Sequence, residues 1–319
     1  MKMIRKTAVC LAAFLLLTLG LGGCQISQEP ETRTVFAMDT VITLTAYGEN
    51  AGKALDAAVQ KLNDYDLLLD VDSGDIGAVN ENAGEFVGVS EEVYKLLSDC
   101  VEFSRQTDGA FDLTVGRYIN LWGFRSQTRV PSDEEIAEAA EFVGWEQIEL
   151  ADGKVKIPEG MQLDLGAVAK GFVAGKLKEL LTEYGIESAI LSLGGNVTTL
   201  GEKPDGSQFV VAIRDPNDPD AYLDTVNVSD TAVVTSGSYM RYFDVDGVRY
   251  HHIIDPETGK PADSGLVSVT VICTDDTAAD AYATAFFVMG AEKTSEFLKD
   301  RPEINVIMVE TNGEIIRVN

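Results

Sequence analysis

Apolar positions follow two different periods along this chain, and the switches between them outline its elements. Within residues 32–48, "VITLTAY" alternates apolar and polar side chains, which predicts a strand with one buried face. From 50 to 70, "NAGKALDAAVQKLNDYDLLLD" returns its apolar residues at helical spacing, with Asn50 placed as a cap. A second helix is expected from Ser90 through "EEVYKLLSDCVEFSRQ" to the stop at Asp108-Gly109, and a shorter one in "SDEEIAEAAEFVG" between Ser132 and Gly144. Beyond 148, short strands dominate: "QIEL", "KVKI", "SAILSLG", "QFVVAIR", "TAVVTSG", "RYFDVDG", "RYHHIID", "LVSVTVIC" and "INVIMVE". Two helical stretches, "GAVAKGFVAGKLKELLTEYG" and "TAADAYATAFFVMG", lie between them without a regular strand-helix beat. The expected class is therefore α+β, with mixed, mostly antiparallel sheets and packed helices.

The N-terminus does not belong to that pattern. Lys2, Arg5 and Lys6 precede the apolar run "TAVCLAAFLLLTLGLGG", which reads as a secretory signal over residues 1–23. The run is shorter than the roughly 20 apolar residues that a membrane span requires. Its ending, "LGGC", is similar to a bacterial lipoprotein box, with Cys24 as the lipidated residue. Residues 24–33 then read as a polar tether, and 34–319 as the folded domain. The expected location is the extracytoplasmic face of a bacterial cell membrane, held by the lipid anchor.

The charge balance narrows the ligand classes. The chain carries 25 Lys+Arg against 52 Asp+Glu, a formal charge of −27. Without residues 1–23 it falls to −30, because that segment holds three cations and no acid. Such a field disfavours nucleic acid and anionic lipid as charge partners. A phosphate ester would need a local device to enter it, and a divalent cation is the natural one. Past Cys24, only Cys100 and Cys273 remain. There is no CxxC, and either a disulfide or two buried thiols is compatible with their spacing.

Several stretches carry side chains suited to chemistry. "LDLGAVAKGF" runs from an extended Asp164 through Gly166 into a helix bearing Lys170, which fits a phosphate site and equally fits tight helix packing. Gly194-Gly195-Asn196 ends an apolar strand, as a ligand loop or a plain turn. Asp280 and Thr284 are four apart on one helix face, where a carboxylate and a hydroxyl suit Mg²⁺. The same pair also fits an acidic first turn and a hydroxyl bonded back to its helix. "GAFD" at 109–112, followed by Trp122 and Phe124, is either an aromatic and carboxylate loop for a flat heterocycle or a core-lining strand. The only two histidines, His251 and His252, are adjacent in an extended "RYHHIID", so their side chains point to opposite faces. One is then available as a general base and the other faces elsewhere. The turn Asp255-Pro256-Glu257-Thr258-Gly259 would hold them in place.

In order along the chain, "FAMDT", "GAFDLTVGRYINLWGF", "LDLGAVAKGF", "ILSLGGN", "TSG", "HHIIDPETGKP" and "DAYATAFFVMG" follow the lipobox. Together they resemble the ApbE family of flavin transferases over almost the whole chain beyond the signal. The resemblance implies an ApbE-like, T-fold-like architecture. It also implies Mg²⁺-dependent transfer of FMN from FAD, through its phosphate, to a Thr or Ser hydroxyl of a partner protein, with AMP leaving. The implied partner is an extracytoplasmic flavoprotein subunit of a membrane redox complex or a similar protein. Alternatives with the same ligands are an FAD pyrophosphatase and a flavin-binding lipoprotein without turnover. Position by position, the resemblance implies flavin-nucleotide contacts at Met38, Ala110, Phe111, Asp112, Asp164, Lys170 and Ile254. It implies metal ligation by the Ala167 carbonyl, Asp280 and Thr284, with the Ala283 carbonyl as a further ligand, and His252 as the base. Many relatives carry an aromatic and a Ser-acid-Ile pattern after the first helix. Here "LLLDVDSGDIGAVN" stands instead, which leaves the flavin contact near residues 69–71 unassigned.

Overall fold

The computed structural model describes residues 29–218 and 220–319. The signal segment and Cys24 lie outside them. Fifteen strands and seven helices are present among the described residues, and every ladder between the named strands is antiparallel. The α+β expectation holds.

The chain enters through a hairpin of β1 (Glu31–Ala37) and β2 (Thr40–Tyr47). β1 begins inside the stretch read as tether. Its two-residue turn puts Met38 at φ 50° and Asp39 at φ 57°, the left-handed pair that matches a hairpin's twist and that non-glycine residues seldom adopt. The Met38 amide donates to Asp66 Oδ1 at 3.0 Å, which ties the turn to helix α1 (Ala51–Leu68). Asn50 occupies the cap position of α1 without a side-chain capping bond. Next come α2 (Gly74–Glu81), β3 (Val87–Gly88) and α3 (Glu91–Gln106), whose Ser90 hydroxyl accepts from the Val93 amide. "GRYINLW" forms α4 (Gly116–Trp122), where a loop or a core strand was expected. Helix α5 (Asp133–Ala140) has a reciprocal capping box between Ser132 and Glu135 and stops four residues before Gly144.

β4 (Glu149–Ala151) and β5 (Lys154–Lys156) join β3 in a small sheet. After α6 (Ala169–Glu183) the strands β6 (Ser188–Leu193), β7 (Asn196–Leu200), β8 (Phe209–Arg214), β9 (Tyr222–Val228) and β10 (Ala232–Gly237) follow. The hairpin β11 (Tyr242–Val245) and β12 (Val248–His251) precedes β13 (Leu266–Cys273). Helix α7 (Asp276–Leu298) leads to β14 (Asn305–Glu310) and β15 (Ile315–Val318). It does not end at Gly290. That residue breaks it locally at φ 79°, and the helix resumes to Leu298.

The main sheet runs β1-β2-β6-β7-β10-β13-β14-β15. Alternation sends Ala46 and Leu191 to a large core shared with α1, α6 and α7, and sends their neighbours Tyr47 and Ile190 to the opposite face, under the β8–β9 ribbon. A separate cluster of Tyr118, Trp122, Phe124, Ile136 and Ile254 packs α4 and α5 against the segment after β12. No described helix is long and apolar enough to cross a membrane. Cys100 and Cys273 are free buried thiols, and burial raises both above the ordinary thiol range.

Candidate active site

A cavity of about 650 Å³ opens where the β1–β2 turn, the segment before α6, α7 and the end of β12 meet. Met38, Ala110, Phe111, Asp112, Asp164, Ala167, Lys170, His252, Ile254, Asp280 and Thr284 all line it. Residues up to 246 apart in sequence are thereby brought to one surface. Leu69, Asp70 and Val71 also reach the wall, so the divergent stretch faces the same space as the motifs around it. Ala283 does not. It is fully buried, and a metal-ligand role for its carbonyl rests on the resemblance alone.

One wall of the cavity is built from hard oxygen donors. Asp280 and Thr284 share a face of α7, one turn apart. The Gly171 amide, from the first turn of α6, donates to Asp280 Oδ2 at 2.8 Å, and Lys170 Nζ lies 4.0 Å from the same oxygen. The Thr284 hydroxyl is 3.3 Å from Ser236 Oγ on β10. Ala167 lies just upstream of these contacts. A single carboxylate, a hydroxyl and a backbone carbonyl fit an ion that keeps part of its shell as water and phosphate oxygens, as Mg²⁺ does. They do not fit zinc, and no group of three or more His, Cys, Asp or Glu with metal-holding geometry occurs among the described residues.

The two histidines take opposite roles, as an extended backbone requires. His251 is buried, with its ring edge-on to Phe287 at 5.4 Å between centroids. Its Nε2 donates to the Ala262 carbonyl at 3.0 Å and its Nδ1 accepts from the Ile253 amide at 3.3 Å. Both nitrogens are therefore used in packing. His252 faces the cavity. Its Nδ1 lies 3.1 Å from the Arg241 carbonyl, and since a carbonyl only accepts, Nδ1 carries the proton and Nε2 keeps a lone pair. Although the ring touches cavity solvent, the protein around it disfavours charge and lowers its pKa to about 4, with Lys170 and Arg241 adding repulsion. The following turn is fixed by Asp255, whose Oδ1 accepts from the Glu257 amide and whose Oδ2 accepts from the Thr258 hydroxyl. Trp122 Nε1 donates to the Gly259 carbonyl at 2.8 Å and pins it to α4.

Two carboxylates on the wall are already engaged. Asp112 accepts from the Thr114 amide and hydroxyl, each at 2.7 Å, and from the Trp145 amide at 3.1 Å. It shapes its loop, and burial still raises its pKa. Asp164 accepts from the Gly166 amide at 2.7 Å and pairs with Arg125. Sequence reasoning missed Arg125 and Arg241. Their only signal was cationic character beside recognised motifs, in a chain poor in cations.

Known proteins resemble this chain in both sequence and fold. The model of the ApbE family matches residues 38–308. An FAD:protein FMN transferase of Treponema pallidum is 35% identical, covering 91% of this chain and 88% of that protein. One from Klebsiella pneumoniae is also 35% identical, over 88% of this chain and 89% of its own. The crystal structure of the ApbE protein from Thermotoga maritima superposes with a TM-score of 0.87 at 34% identity, covering 91% of this chain and 97% of the other. The flavin transferase ApbE from Vibrio cholerae does so with a TM-score of 0.82 at 27% identity and the same coverages. A shared fold and continuous similarity lead to one conclusion: the chain belongs to the ApbE family.

Proposed function

We propose that this protein is an FAD:protein FMN transferase, which joins FMN to a Thr or Ser hydroxyl of an acceptor protein and releases AMP. The observation that carries the reading is the meeting, in one cavity, of a neutral histidine with a free Nε2 and the oxygen donors of α6 and α7. Relatives at 35% identity bear the name of that activity. Lys170, beside Asp280, offers the cavity a cation for the diphosphate.

In this reading His252 Nε2 takes the proton of the acceptor hydroxyl. The hydroxyl oxygen bonds to the FMN phosphorus while the bond from that phosphorus to the AMP oxygen breaks. Asp280, Thr284 and the Ala167 carbonyl would hold Mg²⁺, which when bound offsets the charge of the diphosphate and of the departing AMP. Gly171, through its amide, keeps the Asp280 carboxylate oriented. Met38, Ala110, Phe111 and Ile254 supply an apolar wall for the flavin nucleotide.

The proposed setting is the extracytoplasmic face of the cell membrane, with Cys24 lipidated and residues 1–23 removed. The proposed acceptor is a flavoprotein subunit of a membrane redox complex or a similar extracytoplasmic protein. Intact mass of such an acceptor after incubation with this protein, FAD and Mg²⁺ tests the reading, with a chelator control. A metal-dependent gain of one FMN less water supports it. Release of free FMN and AMP with an unmodified acceptor makes the protein a pyrophosphatase, and intact FAD makes it a binding protein.

A further inference from the structure

Three buried side-chain atoms lack a hydrogen-bond partner among the described residues: Ser188 Oγ, Asn196 Nδ2 and Ser268 Oγ. Only Asn196 lines the cavity, and it is 3% exposed. A hydroxyl can rotate toward a transient partner, whereas a carboxamide's donors are fixed by its plane. Burying one without a partner carries a standing cost, which a ligand oxygen would remove.

The fold sets this side chain in the cavity wall. Asn196 opens β7 directly after Gly194 and Gly195, whose φ values of 61° and 102° let the chain reverse at the cavity wall. Two residues on, Thr198 points to the same side of the strand and donates from Oγ1 to Asp276 Oδ1 at 2.6 Å. Asp276 lies one helical turn before Asp280 on α7. The Thr198–Asp276 bond ties β7 to α7 one helical turn from Asp280. Asn196 and Asp280 line the cavity while Thr198 and Asp276 do not.

We infer that Asn196 is a binding residue for the diphosphate of the flavin nucleotide, its carboxamide turning so that Nδ2, enclosed in the cavity wall, donates to a phosphate oxygen in the cavity that Asp280 and Lys170 also line. This rests on the transferase reading for the identity of the ligand. An uncharged donor suits the position. Asp66, Asp70, Asp72, Asp112, Asp164 and Asp280 already line the cavity, so a further carboxylate would repel the diphosphate and a further cation would pair with them. The turn places the amide without adding charge.

The test compares FAD with riboflavin, which lacks the diphosphate, as ligands of the full-length protein in chelator, using Asn196→Asp and Asn196→Ala. The expected result is a loss of FAD affinity of about tenfold in Asn196→Ala and more in Asn196→Asp, with riboflavin affinity unchanged. Asn196→Ala keeps the test valid if the buried carboxylate of Asn196→Asp prevents folding. Equal loss for both ligands, or no loss of FAD, overturns the inference. So does tighter Mg²⁺ binding by ligand-free Asn196→Asp in calorimetry, because the side-chain oxygen would then be a metal ligand. If the wild type binds FAD yet neither modifies an acceptor nor releases AMP, the transferase reading falls, and the affinities still decide the Asn196 contact.

Discussion

The Gly171 amide donates to Asp280 Oδ2 at 2.8 Å, a bond that crosses from the first turn of α6 to the second turn of α7. It requires the helices to approach more closely than any side chain at 171 allows. A Cβ there would lie 2.2 Å from the Asp276 carbonyl oxygen and 2.7 Å from Asp280 Cβ. One turn later, at Gly175, the nearest atom to such a Cβ is Asp276 Cβ at 3.5 Å, an ordinary contact. Gly171→Ala is therefore expected to cost about 1–3 kcal/mol by overpacking, and to weaken Mg²⁺ dependence. Gly175→Ala should be neutral or gain up to about 1 kcal/mol from helix propensity. Urea unfolding of the two variants checks this, and equal stability would remove the close-approach argument.

Asp280 supplies the one carboxylate of the oxygen-donor wall, and its sign makes two predictions. With Mg²⁺ present, Asp280→Ala should lower transfer by roughly 100-fold or more, since the loss of a metal ligand removes several kcal/mol of charge stabilisation. In chelator the same variant should bind FAD at least as tightly as wild type, because a carboxylate facing the diphosphate has been deleted. Fluorescence titration with and without EDTA separates the two effects. Weaker binding in EDTA would show that Asp280 serves the nucleotide by packing.

His252→Ala should retain FAD binding and reduce transfer by roughly 10²–10⁴-fold, the range typical of a general base. With its pKa lowered to about 4, the ring of the free protein stays neutral well below the ordinary histidine range. The acid limb of kcat/KM for FAD is thus expected near pH 4, not 6.5. The diphosphate's negative charge favours the imidazolium, so the limb of kcat should lie at higher pH. Coincident limbs, or an acid limb that survives in His252→Ala, would assign the titration to another group.

The parts of this fold legible in the sequence are those where one face of an element meets the core. β1 was not among them. As an edge strand it buries only Ala37, so no apolar alternation marks it. β7 went unread as a strand because its buried positions are Asn196, Thr198 and Thr199, polar residues that break the apolar alternation. α7 buries residues all round, which hides its period and made Gly290 look like its end. Site residues set by local geometry, the opposed histidines and the Asp280–Thr284 pair, could be read from spacing. The Arg125–Asp164 pair and the Thr198–Asp276 bond depend on register between distant elements, which no local pattern encodes.

The same histidines should also make stability depend on pH. His251 and His252 both have lowered pKa values in the folded protein, chiefly through desolvation. The unfolded chain, titrating near the ordinary histidine value of 6.5, then binds more protons as pH falls from about 6.5 to about 4. Stability contributed by the neutral rings is present above that window and is lost through it. His251 has the clearer structural reason, because a proton on Nδ1 would displace the Ile253 amide it accepts. The carboxylates complicate the raw curve: an excess of acids repels itself, and their protonation at lower pH relieves that repulsion. A difference measurement isolates the histidines. Urea midpoints of wild type and of His251→Asn/His252→Asn should converge as pH falls from 7 to 4.5, because only the wild type pays to keep its rings neutral. Parallel curves would mean that both rings are protonated in the folded protein as readily as in the unfolded chain.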